Sequence, residues 1–162
     1  LAEPYLEERN MAFTAGLLHD LGRATLDQYF PDIWQDICLQ VEQKQLHWSK
    51  VEQEIIQTDH AEIGFWLAER WDFPQSLTEC IRYHHQPSKA AEMPRLTALV
   101  HLADILSRRD LDFPPAEGTI PVLDKNVYSL VPLSKERVDS LFVKFNSRRE
   151  GIQDLIQVMI PA

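Results

Sequence analysis

The chain has 162 residues, 44% of them hydrophobic and 25% charged, which is typical of one globular domain with its own core. Its formal net charge of −9 makes nucleic acid an unfavourable partner, because a phosphate backbone would be repelled. No apolar run approaches the ~20 residues that a membrane span needs, so we expect a cytoplasmic protein that binds no membrane.

The first part of the chain is patterned for helices. Apolar residues recur with a period of about 3.6 and alternating strand patterns are scarce, so we predict an all-α fold. The first helix is expected from roughly Leu6 to His19, and Gly22 is expected to let the backbone turn tightly after it. A short helix follows to about Tyr29, and Pro31 opens the next one.

Capping signals predict where the following helices start. The segment from Ser49 to Glu52 has the form of a capping box, in which each side chain bonds a free backbone amide of the first turn. Asp59 is expected to cap the next helix in the same way, through its carboxylate. Pro74 and Pro94 then open two further helices.

The loop, the last helical region and part of the core are predicted from composition and periodicity. Residues 112–121 are rich in helix breakers and are expected to form a loop, and a last helical region follows residues 132–134. Cys38 and Cys80 lie in amphipathic stretches and are expected to be buried thiols of a cytosolic protein. The aromatic residues expected in the core are Trp34, Trp66, Trp71 and Phe73.

Residues of metal-ligand type stand on successive apolar helices. His19 and Asp20 adjoin at the end of the first helix, and His60 lies near a helix start, where the helix dipole disfavours protonation of the imidazole. Imidazoles and carboxylates that converge in a bundle core can hold one or two ions and leave a position open for water. The candidate metal ligands are His19, Asp20, His60, His84, His85 and Asp104.

Two other histidines are expected to play different roles. His101 lies three residues before Asp104 on one helix face and is expected to give it a supporting hydrogen bond. His47 stands beside Trp48 in a polar stretch and is expected at the surface. One alternative stays open, in which the histidines form a buried hydrogen-bond network that holds no metal.

The order His-Asp, His, His-His and Ala-Asp resembles the HD superfamily of metal-dependent phosphohydrolases. Over residues 8–110 the chain resembles more narrowly the HDOD family, the HD-related output domains of bacterial signalling proteins. This resemblance implies an HD-superfamily helical bundle, one domain over residues 1–162 that ends in a loop and helical region from residue 111, and fusion to other signalling domains. The motifs that carry it are residues 15–23, 58–64, 67–74, 81–87 and 100–104.

The chain departs from the superfamily pattern at three places. HD enzymes carry an earlier metal-binding His, and residues 1–18 contain none, so we expect a chain truncated at its N-terminus or one without that ligand. Arg23 stands where many HD phosphohydrolases have Lys, and its planar, permanently charged guanidinium is not equivalent. The Gly-Tyr-Pro signature of cyclic-di-GMP-degrading relatives is missing after His85, which argues against that substrate.

Two functions therefore compete. The resemblance favours a regulatory output domain whose partners are other signalling domains or proteins, with a metal site that need not be catalytic. The alternative is a metal-dependent phosphohydrolase acting on a nucleotide or other phosphate ester, with Asp20 bridging two ions and Arg23 or Lys89 steadying the phosphate charge. The expected cofactor is a divalent ion, whether Mn, Fe, Zn or Mg, or else no ion is bound, since such ligands suit several metals.

Overall fold

The computed structural model describes residues 4–108 and 122–131, together with residues 134, 136–138, 140, 143 and 144, and it describes side chains from residue 10 onward. Within these ranges the protein contains α-helices, one 3₁₀ turn and no strand, which confirms the all-α prediction. None of the described helices is long and apolar enough to cross a membrane. The helices are α1 (Pro4–Leu18), α2 (Leu21–Tyr29), α3 (Pro31–Lys44), α4 (Trp48–Ile56), α5 (His60–Arg70), α6 (Gln75–Tyr83), α7 (Pro94–Arg108) and α8 (Val127–Leu130).

The chain divides into two compact units, Leu1–Val131 and Pro132–Ala162. The first unit contains helices α1 to α8 and all the candidate site residues. In the second unit the described residues from 136 onward are helical, and the rest of the predicted last helical region lies outside the described residues, as does the predicted loop over 112–121. The single-domain organisation stays a prediction.

Two glycines let α2 and α5 pack backbone against backbone. A Cβ atom on Gly22 would overlap the carbonyl oxygen of His60, and one on Gly64 would lie 3.2 Å from the amide nitrogen of Gly22. Gly22 therefore serves close packing inside α2, and its predicted role in a tight turn after the His19-Asp20 pair is wrong, because the helix has already begun at Leu21. This close approach places the start of α5 beside the start of α2.

Two clusters of buried apolar side chains hold the helices in place around that contact. One lies between α1, α6 and α7, and the other lies between α2, α3 and α4. Cys80 is buried in the first cluster as predicted, whereas Cys38 is only half-buried. The clusters consist of Ala15, Cys80, Leu96 and Val100 in the first and of Leu26, Ile37, Val41 and Val51 in the second.

The aromatic residues divide between core and surface. Trp34 is half-buried against the second cluster, and Phe73 is half-buried as well. Trp66 and Trp71 are 54% and 53% exposed, so their prediction as core residues is wrong. The reason for Trp66 is that α5 buries a face made of His60 and small residues, which leaves Trp66 on its outer face; Trp71 is the capping residue after the end of that helix.

The predicted caps are correct for α5 and wrong for α4. Asp59 accepts a hydrogen bond from the amide of Glu62 at 3.0 Å, which caps α5 as expected. The expected capping box at the start of α4 does not form, because His47 is the capping residue and accepts from the amide of Ser49 at 3.3 Å. Glu52 is thereby available to turn inward, where its side chain is 0% exposed.

Candidate metal centre

Four imidazoles and one carboxylate converge where the α1–α2 turn, the start of α5 and the end of α6 meet. Nε2 of His60 lies 2.9 Å from Nε2 of His85 and 3.4 Å from Nε2 of His84. Oδ1 of Asp20 lies 3.3 Å from Nε2 of His60 and 3.7 Å from Nε2 of His84. Nε2 of His19 lies 3.4 Å from the other oxygen of Asp20, so five of the six predicted ligands share one small volume.

The imidazoles are oriented by hydrogen bonds at their other nitrogen. Nδ1 of His19 lies 2.7 Å from the carbonyl oxygen of Gly16, and Nδ1 of His84 lies 2.7 Å from that of Ile81. Because a carbonyl can only accept, each neutral ring carries its proton on Nδ1 and presents an Nε2 lone pair to the cluster. This is the arrangement in which metal-binding histidines are held.

The donor set suits a cation. Among the described residues two groups have ligand atoms within 4.8 Å of one another, and they share His84: the first is His60, His84 and His85, and the second is His19, Asp20 and His84. Nε2 of His19 and Oδ1 of Asp20 are buried and have no hydrogen-bond partner in the described part of the chain, which is costly unless a cation or a proton satisfies them. Imidazole and carboxylate ligands of this kind fit zinc, iron or manganese.

Asp104, the sixth predicted ligand, lies at the edge of the cluster. Its Oδ1 is 3.6 Å from Nε2 of His19 and accepts a hydrogen bond from Nε of Arg108 at 2.6 Å. Its Oδ2 is buried and has no hydrogen-bond partner among the residues that the structure describes. Asp104 belongs to neither of the two ligand groups, so its role as a ligand stays a prediction.

Two arginines neutralise the carboxylates of the cluster. Oδ2 of Asp20 accepts from Nη1 of Arg23 at 2.7 Å and from Nη2 of Arg108 at 3.1 Å. Burial alone would raise the pKa of Asp20, but Arg23 and the nearby imidazoles outweigh it and hold that pKa below its usual range. The pKa of Asp104 is lowered too, since His19 and Arg108 overcome the effect of burial. Both carboxylates are therefore ionised at neutral pH.

Most of the imidazoles are neutral at neutral pH and hence able to bind a metal. Burial lowers the pKa of His60 well below its ordinary value, and burial lowers the pKa of His84 to about 3. Burial and the adjacent histidines also lower the pKa of His85 strongly. His19 differs, because Asp104 and Asp20 outweigh burial and raise its pKa. A proton therefore competes with a metal for Nε2 of His19 more than at the other rings.

Two residues of this site escaped the sequence reasoning. Glu52 places Oε2 2.6 Å from Nδ1 of His60 and 2.9 Å from its backbone nitrogen, so it fixes the orientation of that ring. Arg108 pairs with Asp104 four residues earlier on α7, a spacing that could have revealed it. Glu52 had no such signal, because its position in a capping pattern explained it equally well.

Two histidines occupy positions other than those predicted. His101 does not support Asp104, because its Nδ1 donates to the backbone carbonyl of His84 at 2.7 Å and its Nε2 accepts from the amide of Asp124 at 3.1 Å. His47 is half-buried and not on the surface, and its ring centre lies 4.9 Å from that of His85. One histidine thus holds the backbone of a candidate ligand, and the other borders the metal centre.

Fold and site together define a class of protein: a helical bundle with a His-Asp pair between its first two helices and a His-His pair after the sixth. The chain belongs to the HDOD family, whose domain model matches residues 2–87, just over half of its length. This confirms the family resemblance.

Three known proteins are similar to the chain. A crystal structure from Marinobacter aquaeolei VT8, described as a signal transduction protein, has a TM-score of 0.74 at 26% identity and covers 90% of this chain and 32% of its own. An HDOD domain protein of unknown function from Geobacter sulfurreducens has a TM-score of 0.71 at 21% identity, over 93% of this chain and 54% of its own. An uncharacterised protein of Treponema pallidum (strain Nichols) is 28% identical over 98 residues, which is 60% of this chain and 19% of that protein. The chain thus spans only part of each relative.

Proposed function

We propose that this chain is a regulatory output domain of bacterial signalling that binds a divalent cation at the histidine cluster and does not hydrolyse phosphate esters. The pairing of Arg23 and Arg108 with the carboxylates of Asp20 and Asp104 is the observation that carries this proposal. These ion pairs distinguish a domain that binds one ion from a hydrolase, in which the same carboxylates would have to be free to bridge two ions.

The cation would be held by side chains from three parts of the first unit. His60 opens α5, His84 and His85 follow α6, and Asp20 precedes α2. When bound, the ion supplies a positive charge that satisfies the Nε2 lone pairs and the free oxygen of Asp20. The side chains around it link the α1–α2 turn to α5 and α6, so binding stabilises the folded domain.

The arginines disfavour a hydrolytic pair of ions. A dinuclear hydrolase shares a bridging carboxylate between its two metals. In this chain one oxygen of Asp20 is already bonded by Arg23 and Arg108, and only Oδ1 faces His60 and His84. Two guanidinium charges this close also repel a second cation.

The relatives support a place in signalling. The protein from Marinobacter aquaeolei is described as a signal transduction protein, and this chain corresponds to 32% of it. We therefore propose that the partners of this domain are other signalling domains or proteins, met in the cytoplasm. An acidic chain of net charge −9 is suited to protein partners rather than to nucleic acid.

Phosphohydrolase activity is the second candidate. Oδ2 of Asp104 and Nε2 of His19 are buried and no described residue bonds to them, which favours a further ion near them. In that case Asp20 would move from the arginines to bridge both ions, and Arg23 would be released to bind phosphate.

Metal analysis and a phosphate-ester screen test the proposal together. Protein purified without chelator should contain about one divalent ion per chain, and His84→Ala should lose it because His84 belongs to both ligand groups. Turnover of phosphate esters with added manganese, iron, zinc or magnesium should be absent. Turnover that Asp20→Asn abolishes, and that Asp36→Asn on the exposed face of α3 retains, would establish the hydrolase instead. If the wild-type protein contains no metal, both candidate functions are contradicted, and the histidines form a buried hydrogen-bond network that holds no ion.

A further inference from the structure

The turn that carries His84 and His85 is bonded to a later segment of the chain. The backbone amide of Asp124 donates to Nε2 of His101 at 3.1 Å, and Nδ1 of the same ring donates to the backbone carbonyl of His84 at 2.7 Å. Oδ2 of Asp124 accepts the backbone amide of Ser88 at 3.2 Å. Asp124 is therefore connected to the chain on both sides of His85, through an imidazole at His84 and directly at Ser88.

The imidazole of His101 is a rigid and buried connection. His84 and His101 are both 0% exposed, and Pro87 in the turn between the bonded points is fully buried as well. A neutral imidazole has one donor and one acceptor, and both are used here, so Asp124 cannot move away without depriving Nε2 of His101 of its hydrogen bond. Because an unsatisfied polar atom is costly when it is buried, the position of Asp124 and the position of the His84 backbone are linked.

Asp124 also shapes the segment of residues 122–131, which we call the α8 segment. Its Oδ1 accepts the amide of Asn126 at 2.9 Å and its carbonyl accepts the amide of Val127 at 3.0 Å, and these bonds form the turn into α8. Val127 and Val131 are 0% and 3% exposed, and they anchor the segment where α8 packs against α7. The segment is thus held as one piece, and the sequence continues from it into the second compact unit.

We propose that Asp124 positions the His84-His85 pair, and that metal binding is coupled to the docking of the α8 segment on the turn that carries this pair. The coupling rests on the proposed function, because it concerns the same ion. His84 belongs to both ligand groups found among the described residues, so the position of its backbone affects each of them. Coupling is reciprocal: a docked segment that favours the ligand geometry raises the metal affinity, and a bound ion stabilises the docked segment by the same factor. In this way an ion at the histidine cluster is reported to the chain that follows residue 131.

Asp124→Asn tests the proposal, because an asparagine side chain has one acceptor oxygen for the two amides of Ser88 and Asn126. On the full chain we expect the affinity for cobalt(II), measured by competition with a chromophoric chelator, to fall about threefold to tenfold, and the visible absorption bands of the bound ion to shift with the ligand geometry. Lys125→Gln is the control, because it removes an exposed charge from the same segment and should change neither. Urea denaturation of chelator-treated samples measures a purely structural effect, which would lower the stability alone. Unchanged affinity and unchanged bands in Asp124→Asn would overturn the positioning role.

Hydrogen exchange gives a readout that needs no variant. Cobalt(II) should slow the exchange of the backbone amides of residues 122–131 in the wild type, because the bound ion stabilises the docked segment. Equal exchange with and without the ion, in protein shown to contain it, overturns the coupling. If the wild type binds no cobalt(II), the proposed function and the coupling fail together, and imidazole NMR of the metal-free protein decides the positioning role. The ring resonances of His84 should then shift in Asp124→Asn and stay in place in Lys125→Gln, and unchanged resonances in both variants overturn that role as well.

Discussion

Glu52 determines which nitrogen of His60 faces the metal centre. Its Oε2 accepts both the ring Nδ1–H and the backbone N–H of His60, and both residues are fully buried. Burial raises the pKa of this carboxyl, and the positive charge of Arg23 and the amide of His60 counter that effect. Glu52 belongs to neither candidate ligand group, so in the proposed metal site it would position the candidate ligand His60.

Substituting Glu52 should weaken metal binding without removing any ligand. Glu52→Gln keeps the shape of the side chain but offers one acceptor oxygen to two donors, so we expect metal affinity to fall about tenfold or more. Competition with a chromophoric chelator measures the affinity. Glu54→Gln is the matched control, because Glu54 lies on the same helix and forms an exposed ion pair with Lys44. Equal affinities of Glu52→Gln and wild type would contradict the assigned role.

At this scale the sequence was informative about the candidate ligands and uninformative about the residues that orient them. His19 with Asp20, and His84 with His85, are adjacent pairs of ligand type, so they are visible without a structure. Glu52 approaches His60 only because α4 and α5 are packed together, and no local pattern records that contact. His47 was misplaced because a polar neighbourhood in sequence was taken for a solvated one in space.

The contact between α2 and α5 is the element-scale feature on which the site depends. Gly22 and Gly64 let the two backbones touch, and this sets the distance between Asp20 and His60. The helices could be predicted well from the hydrophobic periodicity, from the prolines at helix starts and from the Asp59 cap, since these signals act within a few residues. The contact of α2 with α5 at Gly22 and Gly64 could not be predicted, because the sequence does not show which helices pack together.

Gly22→Ala should therefore disrupt both stability and metal binding. The added methyl group would overlap the carbonyl oxygen of His60, and backbone cannot yield as a side chain can, so we expect a loss of roughly 1–3 kcal/mol or more in the free energy of unfolding. Urea denaturation measures it. Gly16→Ala is the control, because a Cβ there meets nothing within 4 Å and alanine favours a helix. Equal free energies of unfolding for Gly22→Ala and Gly16→Ala would contradict the close backbone contact between α2 and α5.

At the scale of the whole molecule, a cluster of neutral buried histidines makes the metal-free protein sensitive to acid. The pKa values of His60, His84 and His85 are lowered in the folded state. Below the unfolded value near 6.5 the unfolded chain takes up protons that the folded chain refuses, so stability falls as pH falls. His19 opposes this, since its raised pKa adds stability in the same range.

The sum of these opposing effects predicts that the free energy of unfolding falls between pH 7 and pH 5. Each strongly depressed histidine contributes about 1.4 kcal/mol per pH unit below its unfolded pKa, and three such groups outweigh the one opposing group. We expect the free energy of unfolding to drop by roughly 2 kcal/mol or more across this range. Urea titrations of chelator-treated protein at pH 7, 6 and 5 measure it, and a flat profile would show that the cluster is not buried in neutral form.

The backbone contact at Gly22 also links the spacing of α2 and α5 to the geometry of the candidate metal centre. No flexible side chain separates α2 from α5 there, so nothing cushions a displacement of one helix against the other. Asp20 and His60 lie at the very ends of those helices, and their ligand atoms are 3.3 Å apart. If the proposed ion binds here, we expect that moving α2 so that this gap widens by about 1 Å would weaken its coordination, and that the bound ion would in turn hold the starts of the two helices at a fixed distance.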